Sequence, residues 1–300
     1  MKQKTETYLL TVLLLFLAAG TLAQGRWLQI QSRYTGEKLQ ALVVLPPDYE
    51  ETERNYPVLY FLHGWQSSPQ NWDFLLDWDQ LLAELCTEGE VEPFILVLPD
   101  SGDDGESWYS NYLDGRAYER YLTEELIRAV DRSYRTDPKA RAIGGFSMGG
   151  YGAYKLMAKY PHLFGAASSV SGMLSLRTLT FGWKLTTLRL FSNTFRHLCE
   201  NVFGATIEDW QQNDPLSLLM RLERDAPELF SQRAFYIAVG TKDEFFAQTQ
   251  AQEVVDFLES KGANYTYRRV AGGRHNFFFL RSCLKSLFQF HSENFKSYKL

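Results

Sequence analysis

The chain has 300 residues, 45% of them hydrophobic, and a formal net charge of −5. That length is enough for one large buried core, and an acidic balance without a long basic run argues against nucleic acid and anionic membrane surfaces as partners. The three cysteines, Cys86, Cys199 and Cys283, have no metal-ligand spacing, and no metal or organic cofactor is expected.

In chain order, Lys2 and Lys4 precede an apolar run from Tyr8 to Ala19, and Thr21-Leu22-Ala23 places small residues at a cleavage site. This predicts a signal peptide over 1–23, with secretion or periplasmic export of a single domain over 24–300 and no stable membrane insertion after cleavage. An uncleaved anchor is the alternative. Trp27 to Tyr34 and Lys38 to Leu45 alternate polar and apolar residues around Thr35-Gly36, which predicts an N-terminal β-hairpin. Val58 to Leu62 and Phe94 to Leu98 are continuous apolar runs of strand length, as strands covered on both faces require.

Leu122, Leu126, Ala129 and Val130 recur at helical spacing. Further strands are predicted at Ala140 to Ile143, Ala166 to Val170, Ala234 to Gly240 and Tyr265 to Val270. Helices are predicted at Tyr151 to Tyr160, near Phe245 to Ser260, and from about Phe277 to Phe295. Strands alternating with helices give a mostly parallel, doubly wound α/β sheet. The stretch near 172–230, with Trp183 and Trp210, breaks the rhythm as a helical insertion. It is expected either to wall a pocket or to pack as a peripheral patch.

Gly145-Phe146-Ser147-Met148-Gly149 joins a strand signal to a helix signal. Glycines two residues either side of a serine, at such a junction, read as a nucleophile elbow with Ser147 at positive φ. A serine hydroxyl needs a base in reach, and the base needs an acid that fixes its tautomer. In this chain order the base must follow the acid, which leaves His275 or His291. His275 follows a strand in a loop and is the candidate, whereas His291 lies in a helical pattern and is read as a solvated face. Asp243, in the loop after Ala234–Gly240, is the candidate acid, with Glu244 its neighbouring rival. The oxyanion of acyl transfer needs two pre-aimed donors. The Met148 N–H follows the nucleophile, and the Trp65 N–H follows the strand ending Phe61-Leu62-His63-Gly64. His63 is read as holding that loop in shape.

These residues resemble the α/β-hydrolase esterases that group esterase D (S-formylglutathione hydrolase), tributyrin, feruloyl and acetyl-xylan esterases, siderophore esterases and mycolyltransferases. The likeness covers most of residues 24–300. It runs through Tyr60 to Gly64, Pro99-Asp100, Ser107-Trp108-Tyr109, Glu124-Glu125-Leu126, Gly144 to Ala153 and Phe164, then Ser171-Gly172, Asp214-Pro215, Gly240 to Asp243 and Gly273 to His275. The resemblance implies an α/β-hydrolase fold, the triad Ser147, Asp243 and His275, and Met148 and Trp65 as the oxyanion hole. It settles the acid on Asp243. It also implies that Trp108 and Tyr109 border the substrate pocket, and Phe277, two residues after the histidine, is the third candidate substrate-binding residue. Many relatives carry Asp or Ser then Trp after the histidine, where Asn276 and Phe277 stand here. The implied activity is that of an exported serine carboxylesterase acting on small-molecule or polysaccharide-linked esters, with feruloyl or acetyl esters favoured. An acyltransferase, a siderophore or peptide hydrolase, and a catalytically silent binding protein are the alternatives.

Overall fold

Eight strands of the described residues form one sheet. The computed structural model describes residues 26–177, 196–204, 206–245 and 247–296. The predicted signal peptide and Trp183 lie outside the described residues. No helix of the described residues is long and apolar enough to cross a membrane.

The hairpin forms as expected from β1 (Arg26–Gln31) and β2 (Lys38–Val44), which run antiparallel. β2 continues antiparallel onto β4 (Ile95–Pro99). Every later pairing is parallel, through β3 (Tyr56–Leu62), β5 (Thr136–Phe146), β6 (Ala166–Val170), β7 (Ala234–Gly240) and β8 (Asn264–Val270). The apolar runs of β3 and β4 serve two cores at once. Val58, Tyr60 and Leu62 enter one cluster, while Leu59 and Phe61 enter the other on the opposite face. This is the period-two pattern of a strand covered on both sides.

The chain builds leftwards from β3 to β4, then returns to place β5 on the other side of β3 and builds rightwards. Loops leaving β3 and β5 therefore diverge, and this switch point opens a crevice at the carboxyl ends of the strands. Two helices the sequence reading did not predict follow β3: α1 (Pro69–Leu75) and α2 (Trp78–Thr87). Their starts were readable. Ser68 accepts from the Asn71 N–H with Pro69 behind it, and Asp77 accepts from the Gln80 N–H. The Leu122–Val130 pattern forms a π-helical turn, Tyr121–Leu126, running into α3 (Ile127–Ser133).

Helix α4 (Met148–Lys159) is buried along almost its whole length, beneath α6 (Pro215–Asp225) and against the sheet. α6 belongs to the insertion, with α5 (Ile207–Gln211) and α7 (Pro227–Ser231). In its described residues the insertion packs and also reaches the pocket below. α8 (Ala247–Ser260) covers β7 and β8, and α9 (Phe277–Phe295) covers β5, β6 and β7 on the other face.

His291 corrects an expectation. It is fully buried, its Nε2 lies 2.8 Å from Ser168 Oγ, and it shares the apolar stripe of Leu284, Leu287 and Phe288 on α9. Burial pushes its pKa down to about 3 and, against a bond to the Gly64 carbonyl, pushes that of His63 down to about 4. Both stay neutral in the native state, while in the unfolded chain each takes a proton below about pH 6.5. Between those values the unfolded state binds more protons, so stability falls as pH falls. Chemical denaturation at pH 7 and pH 5 is expected to differ by about 4 kcal/mol from these two groups. His291→Asn is expected to remove about half of that slope, and an unchanged slope would refute the assignment.

Candidate active site

Ser147 sits between β5 and α4 at φ 55° and ψ −118°, a conformation that costs a non-glycine residue about 1–3 kcal/mol. The glycines explain themselves sterically. A Cβ on Gly149 would lie 2.0 Å from the Leu62 carbonyl oxygen, and one on Gly145 2.4 Å from the Gly149 carbonyl carbon. The Ser147 N–H donates to the Val170 carbonyl at 2.9 Å, fixing the turn to the next strand.

The three predicted polar side chains meet. His275 Nε2 lies 2.8 Å from Ser147 Oγ, and His275 Nδ1 lies 2.9 Å from Asp243 Oδ2. A carboxylate only accepts, so Nδ1–H donates to Asp243 and leaves Nε2 free to accept the serine proton. The Asp243 side chain is out of solvent. Burial alone would raise its pKa, but the bond and charge of His275, with the Phe245 N–H at 3.0 Å, hold the carboxyl below its ordinary value. Glu244 has a different task. Its carboxylate accepts from the His275 N–H at 2.9 Å and from Arg274 Nε at 2.7 Å.

Acid and base ride on loops that touch through backbone. A Cβ on Gly240 would fall 2.2 Å from the Gly273 carbonyl oxygen. The Lys242 N–H donates to that oxygen at 2.8 Å, and the Gly272 N–H donates to Thr241 Oγ1 at 2.9 Å.

On the β3 side, a Cβ on Gly64 would stand 3.6 Å from Ser147 Cβ, so the predicted oxyanion loop passes directly over the nucleophile. Met148 opens α4, where an N–H has no partner within the helix. His63 behaves as expected: Nδ1–H donates to the Gly64 carbonyl at 2.8 Å, and Nε2 accepts from the Ser101 N–H at 3.2 Å.

A cavity of about 540 Å³ opens over Ser147. Trp65, Trp108 and Phe277 line it. Tyr109 does not. It is fully buried, its ring lies against Gly152, and its hydroxyl donates to the His63 carbonyl at 2.9 Å. Trp108 and Tyr109 are consecutive left-handed residues, φ 52° and 51°, and the tight turn leaves only Trp108 on the pocket wall. The remaining wall comes from Trp72 and Leu75 on α1, Phe146, Met173, Leu198 and Phe245. Among the described residues no Asp, Glu, Lys or Arg lines it. Among the described residues no group of His, Cys, Asp and Glu is gathered as a metal site.

Residues 32–279 match the family model described as "Putative esterase". The chain belongs to the esterase family of α/β hydrolases. It is 34% identical over 214 residues to Esterase Rv1288 of Mycobacterium tuberculosis, covering 67% of this chain and 42% of that protein. It therefore spans about two fifths of that relative's length. Over 148 residues it is 30% identical to an endo-1,4-beta-xylanase/feruloyl esterase of Xylanibacter ruminicola, covering 47% of this chain and 20% of that one. A ferulic acid esterase structure matches with TM-score 0.75 at 22% identity, over 91% of this chain and 98% of the other. An S-formylglutathione hydrolase from Agrobacterium tumefaciens matches with TM-score 0.71 at 20% identity, over 92% and 97%. At these identities the structural matches establish the fold, and with it the α/β-hydrolase expectation.

The esterase-family elbow and the loops after β3, β7 and β8 were all legible. Trp72, Leu75 and Leu198 were missed because their segments are remote from the motifs, and Phe245 because nothing in the sequence aims a side chain two residues past Asp243 into the pocket. The cap at Ser68 was the available signal for α1.

Proposed function

We propose that the protein is a serine carboxylesterase that cleaves uncharged esters through an acyl-enzyme. The observation that carries this reading is the Ser147–His275–Asp243 line at the floor of a cavity whose described walls are aromatic and aliphatic. Ser147 Oγ attacks the ester carbonyl carbon while its proton passes to His275 Nε2. The carbonyl oxygen becomes an oxyanion and accepts from the Met148 and Trp65 N–H groups. Collapse expels the alcohol, which takes the proton from Nε2. Water then attacks the acyl group with Nε2 as base, and the carboxylic acid leaves Ser147 restored.

The cavity wall narrows the substrate. Among the described residues the wall holds six aromatic side chains (Trp65, Trp72, Trp108, Phe146, Phe245, Phe277) and no charged one, which favours an aryl-bearing ester over a charged thioester such as S-formylglutathione. The feruloyl esterase relative supports the same preference. With one leaving group throughout, kcat/KM is expected to rise about tenfold or more from an acetyl to a phenylpropenoyl ester, as roughly 1.4 kcal/mol of added ring burial implies. Steady-state kinetics on an ester panel including S-formylglutathione checks this. Equal rates for the two acyl groups, or a preference for the charged thioester, would reject the substrate class.

A further inference from the structure

Lys155 and Tyr109 are buried polar side chains that the proposed chemistry does not use. Lys155 lies two turns below Ser147 on α4 and is wholly buried. Its Nζ donates to the Tyr109 carbonyl at 2.7 Å and to Ser110 Oγ. Glu119 sits 3.1 Å away as counter-charge and also binds Lys159 at 2.9 Å. Burial pulls the Lys155 ammonium down and Glu119 opposes that pull. A full countercharge spent on one main-chain carbonyl and one hydroxyl is a costly device unless the loop it holds must stay put. That loop is the left-handed pair Trp108 and Tyr109.

Each half of the pair reaches the site. Trp108 is a wall of the cavity and packs edge-on against Tyr151 of α4, ring centroids 5.5 Å apart. The Tyr109 hydroxyl donates to the His63 carbonyl, and its ring lies edge-on to the His63 ring at 5.9 Å. His63 is bonded to the peptide unit that ends in the Trp65 N–H. The contacts form a continuous line from α4, through the strained loop, to the segment above Ser147.

We infer that Tyr109 and Lys155 are positioning residues: Lys155 clamps the 107–110 loop to the nucleophile helix, and Tyr109 uses that clamp to fix the height of the Trp65 N–H above Ser147. The inference rests on the proposed acyl-enzyme reading and adds to it two residues that touch no substrate.

Tyr109→Phe deletes one hydroxyl and no packing volume. It is expected to lower kcat about 10- to 100-fold with KM for a short ester unchanged, because a donor displaced by a fraction of an ångström fails mainly in the transition state. Inhibition by an aryl trifluoromethyl ketone, whose serine adduct carries the oxyanion, is expected to weaken by the same factor. Binding of the product acid stays as it was. Lys155→Met combined with Glu119→Gln removes both buried charges together and keeps the fold testable. That variant is expected to lower kcat and also raise KM for a phenylpropenoyl ester, since the Trp108 wall loosens too. Unchanged kcat in both folded variants, or ketone affinity that does not follow kcat, would overturn the inference. Wild-type protein that neither turns over esters nor labels at Ser147 with a fluorophosphonate would instead overturn the esterase reading, and the clamp with it.

Discussion

Ser147→Ala is expected to reduce kcat for p-nitrophenyl esters by about 10⁶-fold while leaving the melting temperature within a few degrees of wild type. The two halves of that expectation have separate causes. The Ser147 hydroxyl is the one bonded to His275 Nε2, so its loss removes the nucleophile that the base activates. Alanine keeps the same backbone, and the positive φ that Ser147 already tolerates is no worse for a methyl side chain. The turn itself is secured by the Ser147 N–H to Val170 and by Gly145 and Gly149, which the substitution leaves alone. Circular dichroism and thermal melting report the fold, and a titrated burst of p-nitrophenolate reports the active fraction. Turnover above about a thousandth of wild type in the alanine variant would remove Ser147 from the reaction.

Asp243→Asn is expected to cost about 10⁴-fold in kcat. An amide at this position donates as readily as it accepts, and its NH₂ would face His275 Nδ1. The ring would then carry its proton on Nε2, where it cannot accept from Ser147. Glu244→Gln makes a sharp control one residue along. Glu244 accepts from the His275 backbone, not from the ring, so its loss shifts the loop without inverting the tautomer. Its effect is expected to stay within about tenfold. Parallel kinetics on the two variants decide between them, and a larger loss at Glu244 would mean that the acid had been assigned to the wrong carboxylate.

Local chemistry was legible in the sequence, and assembled surfaces were not. The elbow was readable because its pattern is short: a serine between glycines at a strand-to-helix junction, with the glycine at 145 required by the turn itself and the one at 149 by the Leu62 backbone passing beside it. His275 was readable because it follows a strand by a few residues; the same spacing narrowed the acid to Asp243 or Glu244, and the family resemblance chose Asp243. Thr35-Gly36 announced the hairpin by an equally short pattern. The cavity wall was different. Trp72, Leu198 and Phe245 meet only after β3, the insertion and β7 have been placed, and no spacing in the chain records that meeting. His291 shows a third kind of failure. Its place on the stripe with Leu284, Leu287 and Phe288 was visible, but a titratable side chain near the end of a chain suggests solvent. A buried Ser168 hydroxyl on β6 supplies the partner that makes the interior acceptable. Tyr109 failed because adjacent left-handed residues leave neighbours on different sides of a wall, and neither is a glycine that would have flagged the turn.

The backbone contact between Gly240 and Gly273 has a mechanical meaning. β8 is an edge strand, joined to the sheet along one side only, and thermal motion is largest at such a border. Carried on separate hinges, carboxylate and imidazole would jitter independently, and the proton's seat on the ring would blur with every swing. Welded loop to loop, they drift as a pair. The border can sway and the distance to the hydroxyl can lengthen for an instant, yet the imidazole returns each time with its proton on the same nitrogen.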